Sequence, residues 1–135
     1  MIIRAARAQD LDAIDAIQRA SPEASQWAPA NYLQYSCLIA EDDDIVGFIV
    51  TRETAAGEYE ILNLAVSPGA RRRGIGQTLL QYILQTRPAT WFLEVRESNF
   101  AALQLYEKQG FVALSKRVSY YPDSRESAIV MRLQR

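Results

Sequence analysis

The chain has 135 residues, 49% apolar and 23% charged, with 15 basic and 16 acidic side chains and a net charge of −1. That length predicts one domain, residues 1–135, with one core, and the near-neutral charge argues against a general polyanion-binding surface, so no nucleic-acid partner is expected. With no histidine and one cysteine, the chain has no imidazole base, no Ser-His-Asp or Cys-His arrangement, no internal disulfide and no histidine- or cysteine-rich metal site.

Met1 to Arg4 reads as a short first strand. Asp10 to Ala20 places Leu11, Ile14 and Ile17 at helical spacing, with acidic residues in the first turns, which suits a helix N-terminus. "SPEASQWAPANY" is turn-rich and irregular, and its Trp27 reads either as a core plug or as a wall of a binding cleft. Tyr35–Ala40 and Ile45–Thr51 read as an antiparallel hairpin, with "EDDD" as a solvated acidic loop between them. Cys37, inside the apolar "YSCLIA", reads as a core thiol. After "ETAAGE", Tyr59–Val66 is another strand. Arg71–Thr86 carries Ile75, Leu79 and Ile83 on one helical face, an amphipathic helix. Beyond Pro88, "TWFLEV" is a strand and "NFAALQLYEKQG" a helix with Gly110 as terminator. "FVALSKRVSYY" and "SAIVMRL" are two closing strands. This order predicts a mixed α/β sheet in a single layer with helices packed on it. No segment reaches the ~18 apolar residues of a membrane span, so no membrane partner is expected. The start, "MIIRAARAQDLDAI", lacks the apolar core of a secretory signal, and a cytoplasmic protein is the expectation.

The most informative stretch is "SPGARRRGIG", between a strand and a helix. The first N–H groups of a helix have no intrahelical partners, and that end of the dipole is positive, so the setting suits an anion. Gly74 and Gly76 let the backbone approach a phosphate, and Arg71, Arg72 and Arg73 offer guanidinium contacts at the rim. The alternative is a helix that begins with glycines for purely structural reasons. G-x-x-x-x-G-K-[ST] and G-x-G-x-x-G are both absent.

"LAVSPGARRRGIGQTLL" resembles the acetyl-CoA-binding segment of the GNAT acetyltransferase superfamily, R/Q-x-x-G-x-G/A after a strand ending V-x-P. Arg71, Gly74 and Gly76 fit that pattern. "FLEVRESNFAALQLYEKQGF" resembles the second half of the same fold, with Asn99, Leu105, Tyr106, Gly110 and Phe111 at the matching places. Within the superfamily, "LNLAVSP", "LEVRESN" and "YYPD" are similar to the RimI-type ribosomal-protein-alanine N-acetyltransferases. The resemblance implies a single-domain GNAT fold: a mixed, mostly antiparallel sheet of about six to seven strands, flanked by about four helices and splayed at the cofactor cleft.

It further implies acetyl-CoA as cofactor, leaving as CoA. The backbone from Arg71 through Arg72, Arg73, Gly74 and Ile75 to Gly76 would hold the pyrophosphate. Leu64, Ala65 and Val66 would lie beside the pantetheine arm, with Asn63 at the substrate. Two carboxylates interrupt apolar strands and are candidate bases, Glu94 and Glu60. Glu94 matches the base of RimI-type enzymes and Glu60 the base of histone-acetylating members. Either could instead be a strand-end glutamate reaching solvent or pairing with an arginine. Tyr106 matches the general acid, and an ordinary tyrosine is protonated at neutral pH. Without the resemblance it would read as a core tyrosine. Asn99 matches a residue that steadies the cofactor arm and is also a good helix N-cap. Tyr120 and Tyr121 match the wall of the acceptor slot, with sheet packing as the alternative.

The expected activity is acetyl transfer to a primary amine, foremost a protein N-terminus such as that of a ribosomal protein. The same chemistry on a lysine, a polyamine or another small amine, with Glu60 as base, is the alternative. A non-catalytic acyl-CoA-binding module is a further one. A monomer or homodimer is expected.

Overall fold

A computed structural model describes residues 1–24 and 26–135. The irregular stretch read above includes Ser25, which lies outside the described residues. The strands are β1 (Ile2–Ala5), β2 (Ser36–Asp42), β3 (Asp44–Ala55), β4 (Glu58–Val66), β5 (Thr90–Arg96), β6 (Val112–Arg117) and β7 (Ala128–Gln134). The helices are α1 (Leu11–Arg19), α2 (Ile75–Gln85) and α3 (Phe100–Lys108), with short 3-10 turns at Ala8–Asp10, Pro29–Gln34 and Pro68–Ala70. The longest of these turns falls in the stretch read as turn-rich and irregular, and with the three α-helices it makes up the expected complement of about four helical elements. The strands form one seven-stranded mixed sheet in the order β1-β2-β3-β4-β5-β7-β6. Among the described residues no helix is long and apolar enough to cross a membrane.

Contacts divide the chain into two compact units, residues 1–52 with 61–86, and residues 53–60 with 87–135. In the first, β1 pairs with β2 and β2 with β3, all antiparallel. Alternation along β3 sends Phe48 and Val50 into a cluster with Ile14 and Ile17 of α1, Tyr32, Cys37, Ile39, Leu62 and Ala65. In α2, Ile75, Leu79, Leu80, Ile83 and Leu84 are buried, each burial worth about 1.5–3 kcal/mol. Cys37 is a core thiol as expected, and burial pushes its pKa up to about 12. Asp10 is buried against Arg4, which donates to both of its oxygens at 2.8 and 3.0 Å. That guanidinium holds the Asp10 carboxyl below its usual range.

The acidic "EDDD" run is not a loop. Glu41 and Asp42 end β2, Asp44 begins β3, and Asp43 alone makes the turn, at φ 65°. Asp tolerates this left-handed conformation better than most residues. Glu41 binds Arg4 at 3.3 Å and Asp42 binds Arg73, so the charges are paired across neighbouring elements. Trp27 does not plug the core; it is 40% exposed, because Tyr32 fills the buried place near α1 instead.

In the second unit, β5 pairs with β7 and β7 with β6. Trp91, Leu93 and Val95 are buried on one face of β5, while Glu94 and Arg96 share the other. The register sets Arg96 and Arg117 on either side of Ala128.

Candidate active site

In the first unit, α2 begins at Ile75, four residues later than the sequence suggested, because Pro68–Ala70 forms its own 3-10 turn. Gly74 is the N-cap at φ 75°, left-handed, and open space lies where a Cβ would point. The Thr78 N–H closes the first α-helical turn on the Gly74 carbonyl at 2.9 Å. The N–H groups of Ile75, Gly76 and Gln77 therefore have no intrahelical acceptor, which is the arrangement an anion requires. Arg72 adopts the left-handed region too, at φ 66°, a strained conformation of the kind that collects at functional sites.

The three arginines differ in what they do. Arg71 turns toward the protein: its Nε donates to the Val66 carbonyl at 3.2 Å and its Nη2 to the Ser21 hydroxyl at 2.9 Å, with Glu23 at 3.5 Å. Arg73 is paired with Asp42. Among the described residues, Arg72 alone of the three has no side-chain partner, and it is exposed. At the end of β4 two backbone groups are satisfied by side chains. The Leu64 N–H donates to Asn63 Oδ1 at 3.0 Å, and Val66 accepts from Arg71. Ala65 is buried beside them.

Asn63 is buried in a polar network that sequence reading missed. Its Nδ2 donates to Gln18 Oε1 at 3.2 Å and to the Tyr32 hydroxyl at 3.1 Å. Tyr32 donates to Gln18, Gln18 Nε2 donates to the Trp27 carbonyl, and Gln26 donates to the Gln18 and Ser21 carbonyls. Arg71 and this network tie the segment after α1 to β4 and the glycine-rich turn. A cavity of 540 Å³ beside Ser67 and Pro68 is rimmed by Glu41, Asp43 and Asp44. Its acidic rim does not suit a phosphate.

In the second unit, Tyr106 lies in the last turn of α3, its ring buried and edge-on to Phe111 at 5.6 Å. The helix closes with the Phe111 N–H on the Tyr106 carbonyl and the Gly110 N–H on Glu107, both at 3.0 Å. This is the Schellman arrangement, and Gly110 takes φ 104°, which a side chain would resist. The spacing of Y-x-x-x-G-F is therefore a helix cap that also fixes the tyrosine. The Tyr106 hydroxyl has no hydrogen-bond partner among the described residues, and burial raises its pKa, so it stays protonated. Asn99 caps α3 by accepting from the Ala102 N–H at 3.2 Å, leaving its Nδ2 donor without a partner among the described residues.

Glu94 is half-buried, 26% exposed, and pairs with Arg117 Nε at 3.3 Å. Glu60 is half-buried in the opening part of β4. Tyr120, 45% exposed, stands edge-on to Tyr121 at 5.1 Å. Burial raises the Tyr121 pKa. Glu94, Arg117, Tyr120 and Tyr121 thus gather on one polar side of β5 and β6, together with Arg96, which sequence reading passed over. The available signal was the charged alternation Glu94, Arg96 in a strand whose opposite face, Trp91, Leu93 and Val95, is apolar.

The first unit thus offers a glycine-opened helix start with unpaired N–H groups, and the second a buried protonated tyrosine and, on β5, a half-buried carboxylate. The acetyltransferase (GNAT) family profile matches residues 5–111, and the chain belongs to that family. It is an N-acetyltransferase whose cofactor is acetyl-CoA. The chain is 41% identical over 101 residues to the [ribosomal protein bS18]-alanine N-acetyltransferase of Salmonella typhimurium, covering 70% of this chain and 68% of that one. The Escherichia coli K12 enzyme of the same name is 37% identical over 108 residues, covering 76% and 71%. The crystal structure of the ribosomal-protein-S18-alanine N-acetyltransferase from Escherichia coli superposes with a TM-score of 0.83 at 31% identity, over 98% of this chain and 92% of that one. At the family level the chain is RimI-like.

Proposed function

We propose that this N-acetyltransferase modifies the α-amine of a protein N-terminus, with Glu94 as general base and Tyr106 as general acid, residues 1–135 acting as one catalytic domain. The observation that carries the reading is Tyr106, whose ring is locked by a helix cap while its hydroxyl is unpaired among the described residues. The relatives named as bS18-alanine N-acetyltransferases support a ribosomal-protein acceptor. Naa20 of Chaetomium thermophilum, solved with a bisubstrate analogue, shares the fold at 25% identity and a TM-score of 0.88 over 99% of this chain and 86% of that one.

The residues fit acetyl-CoA because Gly74 leaves open space at a helix N-terminus with free N–H groups. Backbone N–H groups from Arg71 to Gly76 would hold its pyrophosphate, with Arg72 as the free cation at the rim. Leu64, Ala65 and Val66 would flank its arm, and the Asn99 Nδ2 would steady it. When bound it supplies an acetyl thioester and, after transfer, a thiolate. Glu94 Oε1 accepts the proton of the attacking amine, directly or through water. An α-amine titrates near 8, against about 10.4 for lysine, so an ordinary carboxylate suffices more readily for an N-terminus. The Tyr106 hydroxyl holds a proton at neutral pH for the departing sulfur. Tyr120 and Tyr121 wall the acceptor.

One acetylation screen tests this reading, using alanine-starting peptides, lysine peptides with blocked N-termini, and polyamines. Acetylation of free α-amines is expected, lost in Glu94→Gln and retained in Glu60→Gln. Preference for lysine or polyamine would overturn the acceptor, and a polyamine would draw attention to the acidic 540 Å³ cavity. Binding of acetyl-CoA without turnover on any amine would leave a non-catalytic module.

A further inference from the structure

The segment between β6 and β7 carries both candidate acceptor-wall tyrosines and two strained positions, Ser119 at φ 53° and Arg125 at φ 57°. Such conformations persist only where the surroundings over-determine them. Ser119 is held by its N–H on the Ser127 hydroxyl, and the stretch around Arg125 by Arg96, at the end of β5 and 15% exposed. Its guanidinium donates to the two carboxylate oxygens of Asp123 at 3.2 and 3.0 Å and to the Ser124 hydroxyl at 3.3 Å. Glu126 lies 3.7 Å away, and the face of the guanidinium covers the Tyr121 ring at 4.0 Å. Glu126 in turn accepts the Ser98 N–H at 2.7 Å, directly before the Asn99 cap of α3. The Arg125 N–H closes the segment on the Tyr121 carbonyl at 2.7 Å.

We propose that Arg96 is a positioning residue for the acceptor, holding residues 121–126 so that Tyr120 and Tyr121 stand where they wall the acceptor slot. This rests on the reading of those tyrosines given above. The grip uses both the edge and the face of a planar cation, and lysine supplies neither a bidentate fork nor a stacking plane. Without the cation, Asp123 and Ser124 lose the partner that ties them to β5, and the Tyr121 ring loses the guanidinium over it. Arg96 acts through the tyrosines, so acceptor binding suffers while cofactor binding does not.

The test is steady-state kinetics on an alanine-starting peptide, alongside acetyl-CoA binding read from the melting temperature. Arg96→Gln is expected to raise the peptide KM about tenfold while kcat and acetyl-CoA binding change less than about twofold. Arg96→Lys should recover only part of the loss. Arg96→Gln combined with Tyr121→Ala should be no worse than the poorer single variant. Asp123→Asn, at the exposed end of the same contact, should raise KM about threefold and covers the case in which Arg96→Gln does not fold. An unchanged KM in the arginine variants, with KM raised by Tyr120→Ala and Tyr121→Ala, overturns the role of Arg96 alone. So do additive losses in the double variant, or a parallel loss of acetyl-CoA binding. If neither tyrosine variant moves KM, the tyrosine reading fails and the proposal falls with it.

Discussion

The glycine-rich turn of the first unit and the tyrosine-bearing segment of the second solve one problem in opposite ways. Residues 67–76 build the proposed cofactor site from the backbone: a left-handed Gly74, a helix start and N–H groups with no intrahelical acceptor. Residues 118–127 are held by side chains, above all by Arg96, a residue far away in sequence. A backbone site tolerates changes in its side chains but not in its glycines. A side-chain site tolerates changes in its own backbone but not in its anchor.

Substitutions can break or sharpen that contrast. The largest effect is expected from Tyr106→Phe, which removes only a hydroxyl with no partner among the described residues. Turnover should fall by about 10²–10⁴-fold with acetyl-CoA binding and melting temperature nearly unchanged. Unchanged turnover would remove Tyr106 as the proton donor. Next comes Gly74→Val, which puts a β-branched side chain into a left-handed backbone. The stabilisation by acetyl-CoA, about 2.7 kcal/mol at a hundredfold excess over Kd, should vanish in a thermal melt. By contrast Arg73→Ala should keep most of it, since that side chain faces Asp42.

A smaller effect is expected from Gly110→Ala, at φ 104° with a new Cβ 3.2 Å from Leu133. It should cost about 1–2 kcal/mol by denaturant titration. The smallest concerns pH. The folded pKa of Asp10 is depressed by Arg4, so its contribution is fully present above the unfolded value, near 3.9, and is lost as pH falls through the folded one. Asp10→Asn should therefore be less stable than the parent at pH 7, and the difference should narrow as pH drops below about 4. A difference that stayed constant with pH would remove the linkage.

The same contrast explains what was legible in the sequence. The element order was readable because each element is local: α2 shows its stripe in Ile75, Leu79 and Ile83, and α3 ends at Gly110. The cradle was readable because glycine and helix start lie side by side in the chain. The role of Arg71 was not, since Ser21 and Glu23 reach it from the other end of the unit. The "EDDD" run faces solvent at Asp42, Asp43 and Asp44 as its charge suggested, but only the tight turn at Asp43 makes its other residues parts of the two strands. Asn63 read as a substrate contact, yet its amide bonds to Gln18 and Tyr32, pairs separated by the whole α1–β4 stretch.

The cap at the end of α3 has one more consequence. The 6→1 bond from Phe111 to Tyr106, the left-handed Gly110 and the ring pair are all closed within half a dozen consecutive residues. The proposed proton donor thus carries its own frame of reference, assembled from contacts of very low sequence separation that are among the first a chain can make. Loops elsewhere can lengthen, shorten or change partners, as an enzyme adapting to new acceptors must, without moving the hydroxyl relative to its helix.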